Sequence, residues 1–196
     1  MAAAAVRYLR SAGAPTVAEP VEALPRPDLR AVGDDERAPV EQSEYRRVLG
    51  SFATGVTVVT APAAAGEEGP AGFACQSFSA LSLDPPLVAF MVGRTSATWP
   101  RIARAGVFCV NVLAADQGEL CRGFAVSGAD KFAGVAYDAA PSSGAPRLTG
   151  ALAWIDCTIH AVHTGGDHLV VVGRVAALGA SADDRPPLLF HRGRFR

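Results

Sequence analysis

Few side chains in this sequence could do chemistry, and the densest group of them is the run CQSFSALSL, where Cys75 and Gln76 are followed by three serines at 77, 79 and 82. On an extended strand Cys75, Ser77 and Ser79 share one face, and Gln76, Phe78 and Ala80 share the other. Small hydroxyls in a row, beside open backbone N–H groups, can hold a sugar-alcohol chain and its phosphate without burying a charge of their own. Serines near a proline corner can equally satisfy local backbone, so both readings stand. A second group, His163-Thr164-Gly165-Gly166-Asp167-His168, opens a strongly apolar run. Its plain reading is a glycine hairpin in which Asp167 satisfies turn N–H groups. Cys157, His160 and His163 have metal-ligand identities, but alternation on a strand sends Cys157 and His163 to one side and His160 to the other. No metal site is expected.

The sequence lacks the common catalytic signatures: there is no G-x-S-x-G, no G-x-x-x-x-G-K-[ST] and no H-E-x-x-H. The glycines of GEEGPAG (66–72) precede a strand, whereas a Rossmann fingerprint opens a helix. What remains is chemistry that needs few ionisable side chains. Hydride transfer between two bound redox molecules is such a case, because the protein supplies binding, orientation and electrostatics.

The elements that must position these residues read as strands. A chain of 196 residues, 49% hydrophobic with mean hydropathy +0.21, favours one domain with a sizeable core. The formal net charge is −1, and the 18 Lys and Arg, among which Lys131 is the one lysine, are scattered. That leaves no electrostatic footprint for nucleic acid. No apolar run reaches the ~18 residues of a membrane span. Cys75, Cys109, Cys121 and Cys157 are far apart, three of them within apolar runs, which points to reduced thiols and a cytoplasmic location. Residues 1–38, rich in Ala, Pro and Arg without apolar periodicity, are expected to form a flexible N-terminal tail, and residues 39–196 the folded domain.

Within that domain, Tyr45, Val48, Leu49 and Phe52 fall at helical spacing and predict a short amphipathic helix ending at Gly50. Strands are expected at 55–61, 71–83, 86–93, 106–114, 150–163, 168–178 and 187–195. Helices are expected after Ser96, with Pro100 in the first turn, and over 114–125. Many strands, few peripheral helices and no βαβ alternation predict a mainly β chain, a barrel or strongly curled antiparallel sheet.

Six segments, FATGVTVVTA (52–61), CQSFSALSLDPPLV (75–88), GVFCVNVL (106–113), FAGV (132–135), GGDHLVVVGRV (165–175) and PLLFHRGRF (187–195), stand in the order of the flavin reductase-like family. The chain resembles this family, the short-chain NAD(P)H:flavin reductase components of two-component flavin-dependent monooxygenases, from about residue 42 to 196. The resemblance implies an FMN-binding split barrel, an antiparallel Greek-key-like barrel with a few peripheral helices, assembled as a homodimer. It also implies hydride transfer from NADH or NADPH, from nicotinamide C4 directly to N5 of FMN or FAD, with reduced flavin passing to a partner monooxygenase.

By the same resemblance, the main chain of Thr54, Gly55, Val56, Thr57 and Val58 lines the isoalloxazine, where glycine allows close backbone approach. Cys75, Gln76 and Ser77 meet the ring and ribityl chain, although the family often has Asn or Ala-Asn where this chain has Cys75-Gln76. Ser82 and Leu83 lie beside the phosphate, and Arg94 and Ser96 add a guanidinium and a helix N-cap to it. His168 is the catalytic assignment, supporting the nicotinamide carboxamide without transferring a proton, and His191 completes that pocket. The alternative is a split-barrel flavin carrier or sensor with no productive nicotinamide site.

Overall fold

β-Branched and aromatic residues come in blocks bounded by Gly and Pro, and each block forms a strand. The computed structural model describes residues 40–128 and 130–196, so the expected tail of residues 1–38 lies outside the described residues. In chain order the elements are α1 (Gln42–Leu49), β1 (Thr54–Gly55), β2 (Thr57–Ala61), β3 (Ala71–Cys75), β4 (Ser79–Leu83), β5 (Pro86–Gly93), α2 (Trp99–Ala105) and β6 (Val107–Val112). A 3-10 turn (Ala115–Gln117) leads into α3 (Gly118–Ala125). Then come β7 (Tyr137–Ala139), β8 (Pro146–Leu148), β9 (Ala153–Gly165), β10 (His168–Ala180), β11 (Leu189–His191) and β12 (Arg194–Phe195).

The main sheet has seven strands in the order β3-β2-β6-β9-β10-β5-β4, with every paired neighbour antiparallel. It curls around a core of Val59, Phe90, Val92, Ile102, Phe108, Val110 and Val171, in which Phe90 meets Phe73, Trp99 and Phe108 at 5.2–6.3 Å between ring centroids. β2 is buried along its whole length because its outer face carries a second core, where Val58 meets Leu113, Cys121, Phe124, Leu148 and Leu188. The fold is therefore mainly β and antiparallel, as the sequence predicts.

Several boundaries differ from the sequence reading, each for a physical reason. The strand expected over 71–83 is two strands, because residues 76–78 leave the ladder between β3 and β4. The run 187–195 folds back on itself as the β11–β12 hairpin, with left-handed φ of 48° at Arg192 and 77° at Gly193. The β7–β8 hairpin has too little periodicity to be predicted and is held by buried polar groups instead. Asp156 Oδ2 accepts from the Ser142 and Ser143 N–H groups, while Asn111 Nδ2 donates to Val58 O and Pro146 O and its Oδ1 accepts from Leu148 N. The expected first helix forms and ends at Gly50, but its apolar face is not buried: Tyr45, Val48, Leu49 and Phe52 are all exposed.

Candidate functional site

A curled sheet must bring its two ends together, and here the seam forms where β3 runs out against β5. Phe73, Ala74, Cys75, Gln76 and Ser77 on one side and Met91, Val92 and Gly93 on the other line a cavity of about 350 Å³, closed by Ser96 and His168. The structure thus gathers five of the sequence-derived site residues: Cys75, Gln76, Ser77, Ser96 and His168. The β5 residues were missed, since only the sheet order reveals that β5 faces the end of β3.

Ser77 fastens the seam. Its Oγ donates to Met91 O at 3.0 Å and accepts from Met91 N at 2.8 Å, so one hydroxyl plays the part of a β-ladder residue. The Cys75 Sγ lies 3.3 Å from the same oxygen, which places Cys75 and Ser77 on one side of the chain as alternation requires. Ser79 has left that row and its hydroxyl donates to Ala80 O. Burial pushes the Cys75 thiol above its ordinary range, so it faces the cavity as a neutral group. Gln76 is exposed, with its amide free of hydrogen bonds among the described residues.

His168 opens β10 opposite Gly93, its cross-strand partner. Its Nδ1 is 2.8 Å from Asp167 Oδ1, and this contact lowers the Asp167 carboxyl below its usual range. An ionised carboxylate only accepts, so Nδ1 carries the proton and Nε2 faces the Gly93 side of the ring. Asp167 therefore orients an imidazole, where the sequence suggested a turn-capping carboxylate. Its main-chain oxygen has a separate task, accepting from Arg94 N at 3.0 Å and tying the β5–α2 loop to the β9–β10 turn. The Arg94 side chain is exposed. Ser96 Oγ accepts from Trp99 N at 3.2 Å, but the N-cap position of α2 is Thr98, two residues on, whose side chain makes no capping bond.

The remaining residues stand elsewhere. Val56 and Val58 point into the second core, and the main chain of Val56 bonds Leu188 and Leu113. Thr57 and Val58 pair with β3 and β6 on both sides, and Thr57 Oγ1 donates to Cys75 O at 2.9 Å, bracing the seam from behind. Space is open over Gly55, where an added Cβ would meet nothing within 4 Å. Neighbouring Thr54 has a buried Oγ1 with no hydrogen-bond partner, a donor suited to a ligand oxygen. Ser82 and Leu83 sit on the β4 edge, and His191 pairs with Arg194 in the β11–β12 hairpin; none of the three lines the seam cavity. His160 is an extra residue in β9, opposite the Val172/Gly173 step, and this bulge breaks the alternation assumed for the metal-type residues. Cys157 is buried and His163 exposed, and no cluster of three metal-ligating side chains occurs among the described residues.

The seam cavity sets the polar Gln76, Ser77 and Ser96 and one oriented imidazole among the apolar Phe73, Met91 and Val92. These groups suit a flat ring with polar edges, and the orphaned Thr54 hydroxyl fits a site completed by another molecule. Comparison with known proteins agrees. Residues 49–196 match the family model described as flavin reductase like domain. The chain is 50% identical over 157 residues, 80% of its length and 77% of the relative's, to the reductase subunit HsaB of a flavin-dependent monooxygenase from Rhodococcus jostii. It is similar to the solved NADH:FAD oxidoreductase SgcE6 of Streptomyces globisporus, in complex with NAD and FAD fragments (39% identity, TM-score 0.73, 80% of this chain and 92% of that one). It is likewise similar to a nitrilotriacetate monooxygenase component B homologue from Mycobacterium thermoresistibile (48% identity, TM-score 0.74, 79% and 85% of the two chains).

Proposed function

This chain belongs to the flavin reductase like domain family, and from that premise we propose how its residues serve the reaction. It is an NAD(P)H:flavin oxidoreductase, the component that supplies reduced flavin to a monooxygenase. Bound flavin supplies the hydride-accepting ring. The chain's own part is to hold that ring against the nicotinamide and to exclude water between them.

The observation that carries the reading is the imidazole of His168, oriented by Asp167, at the seam cavity opposite Cys75–Ser77. With Nδ1 engaged by Asp167, His168 turns Nε2 toward the cavity, where it can hydrogen-bond a nicotinamide carboxamide. Hydride transfer asks no proton of the protein, so His168 positions the coenzyme. Gln76 and the neutral thiol of Cys75 border the flavin ring, and the open approach over Gly55 and the Thr54 hydroxyl receive its far edge. Arg94 and Ser96 take the flavin phosphate; Ser82 and Leu83, which pair with the opposite end of β5, and His191 in the β11–β12 hairpin lie outside the seam cavity, and any part they have is at ligand atoms that extend beyond it.

The productive unit is a homodimer of the domain formed by residues 39–196. The support for this is the apolar surface left exposed on one chain: Tyr45, Val48 and Leu49 of α1, Phe52, and Leu81 and Leu83 of the edge strand β4. The four cysteines are free thiols and buried, which suits the cytoplasm. NADH oxidation by the purified chain with and without added FMN or FAD tests the reading. Oxidation that depends on flavin is expected, and a chain that binds flavin without oxidising NADH or NADPH would be a carrier.

A further inference from the structure

β5 carries a sulfur at the seam. Val88, Phe90 and Val92 turn into the core around which the sheet curls, so alternation puts Met91 on the opposite face, where it is 42% exposed. The β4–β5 ladder ends at the pair of Ser79 with Ala89. Beyond it the Ser77 hydroxyl takes the place of a strand partner and holds both the N–H and the carbonyl of Met91. The backbone is thereby fixed, and Met91 lines the seam cavity together with Cys75, Ser77 and His168.

The sulfurs of this chain differ in what an oxidant finds. A thiol attacks peroxide as its thiolate, whereas a thioether carries its lone pairs at every pH. Cys75, Cys109, Cys121 and Cys157 are all buried, and burial pushes each thiol above its ordinary range, so thiolate is scarce at neutral pH. The sequence has two methionines, and the other is Met1. Met91 is therefore the reactive sulfur at the place where flavin is reduced.

We propose that Met91 is a modification site for hydrogen peroxide, and that its sulfoxide weakens flavin binding at the seam, so that the chain slows its own reductase activity when no monooxygenase takes the reduced flavin. The inference rests on the flavin reductase reading and adds regulation to it. The oxidant arises when reduced flavin meets dioxygen first: an electron pair and its protons pass from flavin to dioxygen, leaving oxidised flavin and hydrogen peroxide. A lone pair of the Met91 sulfur then attacks one peroxide oxygen. The O–O bond breaks as the S–O bond forms, and the second oxygen leaves as water, so sulfur is oxidised and peroxide reduced by one electron pair. A thioether suits the face or edge of an aromatic ring, whereas a sulfoxide is polar and chiral. Methionine sulfoxide reductase reverses the change.

The test uses the full chain and Met91→Leu, a swap of similar volume that leaves the Ser77 bonds to the main chain in place. Each is incubated in air with NADH and FAD or FMN, with and without catalase, and separately with hydrogen peroxide alone. The peptide spanning Met91 is followed by mass spectrometry, and the flavin dissociation constant by fluorescence titration before and after. In the wild type, turnover without catalase should add one oxygen to Met91 and raise the dissociation constant about tenfold, the effect of a polar group set where an apolar contact stood. Catalase should prevent both changes, and methionine sulfoxide reductase should reverse both. In Met91→Leu the ratio of the constants after and before should stay near one, whatever the starting affinity. The proposal is overturned if Met91 is unmodified after turnover, if its sulfoxide binds flavin as tightly as the thioether, or if Met91→Leu loses affinity as the wild type does. Failure of the underlying reading looks different, since then no NADH is consumed while added peroxide still oxidises Met91.

Discussion

Asp167 acts on the reaction only through His168, and that makes its role separable by experiment. Replacing His168 by Ala removes one or two hydrogen bonds to the coenzyme, worth about 1–3 kcal/mol, so kcat/KM for NADH should fall about tenfold to a hundredfold while flavin affinity holds. His168→Gln, which keeps a donor and an acceptor, should recover part of that loss. Asp167→Ala frees the imidazole and should cost about tenfold, and in the double variant it should add nothing to His168→Ala. Additive losses in steady-state kinetics would show Asp167 touching the coenzyme directly. Ser77 is a different case, because its hydroxyl already serves Met91 as donor and acceptor. Ser77→Ala should therefore lower stability by about 1 kcal/mol, a few degrees in Tm, and loosen flavin binding as the seam opens. An unchanged Tm with weakened flavin binding would instead show the hydroxyl bonded to the ligand.

At the level of elements, what the sequence makes legible is local. The blocks GVTVVTA at β2, PLVAFMVG in β5 and HLVVVGRV in β10 announce themselves by β-branched content and by Gly or Pro boundaries, and all three form. The gathering of Cys75, Ser77, Ser96 and His168 was reachable only through the family resemblance, since their contact depends on sheet order and curl. The bulge at His160 and the β7–β8 hairpin escaped because buried hydrogen bonds, not periodicity, fix them. One glycine shows how tightly the curl is specified. A Cβ at Gly173, beside the bulge, would lie 2.3 Å from Phe108 Cζ and 3.3 Å from Cys157 Cβ, so the barrel interior can curve there only without a side chain. Gly173→Ala should cost about 1–3 kcal/mol by overpacking, read as a lower urea midpoint; wild-type stability would mean that Phe108 repacks freely.

For the whole molecule, the buried thiols tie stability to alkaline pH. Cys109 and Cys157 are both buried in the barrel wall, and desolvation first, then neighbouring charge, pushes each thiol up to about 12. In the unfolded chain the same groups ionise near their ordinary value of 9.0. The unfolded state therefore releases these protons first: their contribution is fully present below pH 9 and is lost as pH rises from 9 towards 12. The linked slope is ~1.4 kcal/mol per pH unit for each thiol once the unfolded form is ionised. Other groups titrate over the same range, so the comparison that isolates one thiol is wild type against Cys157→Ala. Below pH 9 the variant should be less stable by a constant amount, since it loses only a packed sulfur. Above pH 9 the wild type should lose stability faster, and urea unfolding at half-unit intervals should show the gap between the two closing. A gap that stays constant to pH 11 would mean that the folded protein ionises Cys157 as readily as the unfolded chain does, and that water reaches the barrel wall at that strand.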